Sequence, residues 1–97
     1  MNVIYKYPLK VTDRQDVELF QDCDILSIQR QNEKPYMWVM HDTSKPVMRV
    51  TIRCIGTGQP IDKQDHQLLK FISTVQSGPP PPLDIELVWH WFLELPV

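Results

Sequence analysis

The chain has 97 residues, 42% of them hydrophobic and 23% charged, with a formal net charge of −2. That length suits one domain over residues 1–97 with a modest core, and the composition excludes disorder as the default state. The negative balance makes nucleic acid an unlikely partner, and no apolar run is long enough to span a membrane.

Val3, Tyr5, Tyr7, Leu9 and Val11 alternate with Asn2, Lys6, Pro8 and Lys10, which predicts a first strand. Pro8 has no N–H for a ladder, so this strand belongs at a sheet edge. A polar turn over 12–16 leads to a short second strand, Val17 to Phe20. A third runs from Ile25 to Gln31, with Leu26 and Ile28 inward and Ser27, Gln29 and Gln31 outward. Asn32-Glu33-Lys34-Pro35 predicts a hairpin loop of four residues. In the fourth strand Tyr36, Trp38 and Met40 interleave with Met37, Val39 and His41, so both of its faces call for cover.

Met48, Val50, Ile52 and Cys54 face one way from the fifth strand, and Arg49, Thr51, Arg53 and Ile55 the other. This period of two marks a half-buried strand near the middle of an antiparallel sheet. It runs into Gly56-Thr57-Gly58-Gln59-Pro60, the sharpest break in the sequence. Residues 66–75 fit two patterns: Leu68, Leu69, Ile72 and Val75 match a helical face, while Leu69, Phe71, Ser73 and Val75 match a strand. The run Ile72-Ser73-Thr74-Val75 favours the strand. The tract from Ser77 to Pro82 reads as a stiff connector. The last strand sets Ile85, Leu87, Trp89, Trp91, Leu93 and Leu95 against Glu86, Val88, His90, Phe92 and Glu94. The expected fold is all-β, a small antiparallel sandwich or partly open barrel of six to seven strands, with room for one short helix.

Little in the chain points to catalysis. His41, His66 and His90 fall on separate elements without metal-ligand spacing, and there is no GxSxG. The carboxylates sit mostly in turns, where they solvate and cap the backbone. Two cysteines without CxxC spacing read as reduced thiols. The expectation is a protein that is not an enzyme, with no cofactor and no metal.

Two binding surfaces suggest themselves. Trp38, Met40, Val88, His90 and Phe92 carry apolar or aromatic area on strand faces that need a second cover, which a protein partner or a homodimer would supply. Arg49 and Arg53 share a face beside Gly56, Thr57 and Gly58, an arrangement that could hold a phosphate or nucleotide ligand. A solvated face with cross-strand ion pairs is the commoner meaning of such arginines.

The segments IYKYPL, IGTGQPI and VWHWFLE together resemble a family of small proteins encoded by bacteriophages. In that family a Y-K-Y strand, a TGxP turn and an aromatic final strand recur along one short domain. The resemblance implies an accessory protein of the host cytoplasm that binds and inhibits a host component such as a defence protein. Sequestration of a nucleotide signal, or a minor structural place in the virion, are the alternative expectations. No catalytic residue carries over from the family.

Overall fold

The computed structural model describes residues 2–77 and 87–96. The strands are β1 (Asn2–Pro8), β2 (Arg14–Phe20), β3 (Asp24–Gln31), β4 (Lys34–Asp42), β5 (Val47–Gly56), β6 (Leu69–Ser77) and β7 (Leu87–Glu94). A single short helix, α1 (Lys63–Leu68), precedes β6. The proline tract at 79–82, and Ile85 and Glu86 of the expected last strand, lie outside the described residues.

The strands form two antiparallel sheets that do not close into a barrel. Sheet A has the order β1-β4-β3, and sheet B the order β2-β5-β7-β6. Pro8 lies on β1, an edge strand, as its missing N–H requires. β5 lies inside sheet B, with β2 on one side and β7 on the other. Between the sheets sit Leu9, Leu19, Ile28, Met37, Val39, Ile52, Cys54, Val75 and Trp91. Trp89 and Leu93 pack against this core from the same face of β7 as Trp91.

Four local expectations need correction. The β3–β4 loop is two residues, Asn32-Glu33, both with positive φ (51° and 67°), as a tight primed turn demands. Lys34 and Pro35 therefore belong to β4. β2 starts earlier than its apolar pattern suggests, because Arg14, Gln15 and Asp16 pair with Arg53, Ile52 and Thr51. On β3 the register shifts between Ile25 and Ser27, so the inward pair is Ile25 and Ile28, and Leu26 is 49% exposed. An inserted residue of this kind turns one side chain off the alternating pattern. A second shift between Phe71 and Ser73 places Leu69 and Phe71 on one face of β6, and Ser73 and Val75 on the other.

Residues 66–75 also divide between two elements. His66, Gln67 and Leu68 end α1, whose first turn is capped by Asp62 accepting from the Asp65 N–H at 2.9 Å. The rest is β6. Since β5 and β6 are both antiparallel to β7, they run parallel to each other on either side of it. Parallel strands cannot be joined by a hairpin, and residues 57–68 supply the crossover. The crossover lies on the outer face of sheet B, where Asp65 reaches Arg53 and Thr57 reaches His90.

Candidate functional site

The outer face of sheet B carries the arginines. Arg53 is only 8% exposed, and its charge is already met. Its Nε donates to the Asp13 carbonyl at 3.2 Å and Nη1 to Glu94 Oε1 at 3.4 Å, while Asp13 and Asp65 carboxylates lie 3.7 Å from Nη2. Glu94 also accepts from Arg14 Nη2 at 2.6 and 2.8 Å. This clasp ties β2, β5, β7 and the crossover together. Arg49 stands four residues away, about 13 Å along the strand, and is paired in register with Glu18.

The glycine loop is also occupied with itself. The Gly56 N–H donates to Gln59 Oε1 at 3.0 Å, the Thr57 N–H to the Val88 carbonyl at 3.3 Å, and the Gln59 N–H to the Gly56 carbonyl at 3.1 Å. Gly56 admits the Trp89 ring, which would stand 3.3 Å from an added Cβ. Gly58 takes a φ of +86°, a conformation that glycine adopts without strain. Arg49, Arg53, Gly56, Thr57 and Gly58 thus do not converge on a shared set of free donors. A phosphate at Arg53 would have to compete with three carboxylates.

The five apolar candidates separate into two groups. The pairing register puts Val88, His90 and Phe92 on the outer face of sheet B, with Ile55 and Arg53. There the crossover covers them in part. His90 is held between Thr57 Oγ1 (2.8 Å from Nε2) and Thr74 Oγ1 (3.0 Å from Nδ1), and Phe92 meets Phe71 edge to face at 5.7 Å. Trp38 and Met40 lie on the opposite side of the sandwich, on the outer face of sheet A. One contact surface cannot include all five residues.

The sheet A face has further members that the alternation count passed over. Ile4 pairs with Met40 and is 58% exposed, and Lys6 pairs with Trp38. Tyr36 lies 6.1 Å from Trp38 between ring centroids, and the Lys6 ammonium stands 4.5 Å over the Tyr36 ring. Lys6 also donates to Gln31 Oε1 at 2.9 Å. The outcome is a strip, Ile4-Met40-Trp38-Tyr36, with a cation along one margin. No described helix or strand packs over it. The signal in the sequence was Ile4, a large aliphatic residue on the side of β1 that otherwise carries Asn2, Lys6 and Pro8.

The inner face of sheet A holds His41, 1% exposed and ringed by Tyr5, Tyr7 and Phe20 at centroid distances of 5.1–5.5 Å. Its Nε2 is 2.6 Å from the Tyr7 hydroxyl, while Nδ1 has no hydrogen-bond partner among the described residues. Burial lowers the pKa of this imidazole below its usual value of 6.5. The unfolded chain then binds a proton more readily than the folded one. Stability is therefore full above about pH 6.5 and declines as pH falls below it, by at most about 1.4 kcal/mol per pH unit for one proton. Thermal unfolding between pH 7.5 and 5.5 should show this slope, and His41→Gln should flatten it. An unchanged slope in the variant would place the proton uptake elsewhere.

The thiols are poorly suited to nucleophilic work. Burial, and then Asp13, push Cys54 up to about 11, and burial also raises Cys23. Among the described residues no three His, Cys, Asp or Glu side chains gather as a metal site. No described helix is long and apolar enough to cross a membrane.

Searches of curated proteins and of solved structures each returned no match. The profile of one family, DUF7352, matches residues 1–96, and with nearly its whole length covered the chain belongs to that family, described as a domain of unknown function.

Proposed function

We propose that this protein is a non-catalytic binding protein whose contact surface is the outer face of sheet A, and that it acts by blocking the protein it holds. The observation that carries this reading is the half-buried strip Ile4-Met40-Trp38-Tyr36, over which no described helix or strand packs, with Lys6 at its margin. Tryptophan and tyrosine are favoured anchors in protein interfaces because they offer large apolar area and lose little conformational freedom on binding. Lys6, stacked on Tyr36, would suit a partner with an acidic rim.

The more specific part of the proposal rests on the motif resemblance: a bacteriophage accessory protein acting in the host cytoplasm on a defence protein. Tagged protein expressed in bacterial host cells, followed by native mass spectrometry of what it carries, tests both parts. A complex of fixed stoichiometry is expected. Trp38→Thr should weaken it by at least about 30-fold, the size of a modest hot spot, while Arg49→Ala should leave it intact. Loss of the complex with Arg49→Ala but not with Trp38→Thr would move the interface to the other sheet and overturn the proposal.

A further inference from the structure

At one end of the sandwich the two sheets part. The opening is a cleft of about 270 Å³ lined by Leu19, Ile25, Met48, Val50, Ile72 and Leu93, with Leu26 and Phe71 at its mouth. Cys23, Asp24 and Lys70 complete the wall. Leu19, Ile25, Val50, Ile72 and Leu93 belong to or pack against the core, so the cleft is continuous with the hydrophobic interior.

Lys70 is the anomaly. It pairs with Leu93, a core-facing position of β7, which directs it to the inner side of sheet B. Among the described residues it makes no hydrogen bond or ion pair. Asp24, also in the wall, makes no ion pair with it. The Cys23 thiol has its pKa raised by burial, so it adds no negative charge at neutral pH. The cleft joins an apolar floor to a polar margin, where the Lys70 ammonium has no ion-pair partner among the described residues, and so is complementary to a molecule with a hydrocarbon body and one anionic end.

Size narrows the class. A dry protein cavity of about 150 Å³ accommodates benzene, so this cleft has room for roughly ten carbon atoms. We infer that the inter-sheet cleft is a binding site for a medium-chain monocarboxylate, with the tail between Val50, Ile72 and Leu93 and the carboxylate on Lys70. Asp24 in its wall pairs with Met40 of the sheet A strip, but the cleft opens between the sheets and does not depend on protein docking on the outer face.

Octanoate is the probe. Isothermal titration and amide NMR shifts of the full chain are measured with octanoate, 1-octanol, octylamine and acetate. Octanoate is expected to bind, to shift the amides of Leu19, Val50, Ile72 and Leu93, and to raise the melting temperature. Lys70→Gln, at an exposed position that leaves the fold intact, should weaken octanoate about tenfold without changing the response to octanol. Octylamine and acetate should not compete. Silence of those four amides at millimolar octanoate would overturn the inference. So would equal binding of octanoate and octanol together with indifference to Lys70→Gln.

Discussion

Trp91→Ala should lower the free energy of unfolding by about 4 kcal/mol, within the range of about 3–5 for truncating a buried large aromatic. Trp91 is 1% exposed and the largest fully buried side chain. It stands on β7 between Cys54 of β5 and Ser73 of β6, so its ring closes the middle of sheet B against sheet A. Truncation removes both the transfer energy and the packing of every neighbour that the ring touches. Since a small domain has a total stability of about 5–15 kcal/mol, much of the margin would go. Trp91→Phe should cost far less, about 1–2 kcal/mol, because it keeps most of the volume and removes an indole N–H that has no partner among the described residues. Urea unfolding of both variants at pH 7 decides the matter. A loss below about 2 kcal/mol for the alanine would mean that the middle of the core collapses around the gap.

The second large effect is expected at Arg53. Arg53→Met keeps the buried stem and removes the charge, leaving Asp13, Asp65 and Glu94 around an empty centre. Removing one partner of a fully buried pair costs about 3–5 kcal/mol, but here Asp13 and Asp65 are 65% and 39% exposed at their side chains and can turn to water. A loss of about 2 kcal/mol follows. Most of it belongs to Glu94, 18% exposed at its side chain, which retains Arg14 as its remaining partner. Urea unfolding at pH 7 of Arg53→Met beside Arg53→Ala measures this directly. A loss confined to the alanine variant would assign the role of Arg53 to packing of its stem rather than to charge.

These two side chains also mark how far the sequence could be read. The strict alternation of β5 and β7 revealed both strands and put Trp91 inward and Arg53 outward, since a period of two leaves no other arrangement when one face is apolar. Leu26 and Ile72 sit where single-residue insertions break that period. A bulge has no compositional mark, so the reading of Leu26 as inward failed there. The grouping of Trp38 with Phe92 failed for another reason. Which strands share a sheet is fixed by long-range pairing, and the order β2-β5-β7-β6 leaves β4 in the other layer. The arginine face was read correctly, but its partners Asp13, Asp65 and Glu94 come from three distant segments that no spacing rule connects.

The position of β7 between β5 and β6 has a consequence for biosynthesis. As the chain leaves the ribosome, β5 finds β2 already made, but its other margin stays bare, and β6 emerges with no neighbour in its sheet. Only when translation has passed Glu94 can the gap be filled. At roughly 5–20 residues per second that delay lasts seconds, far longer than hairpin closure. The nascent polypeptide therefore exposes Val50, Ile52 and Val75 to chaperones, proteases and other nascent chains until the very strand that carries its two neighbouring tryptophans arrives.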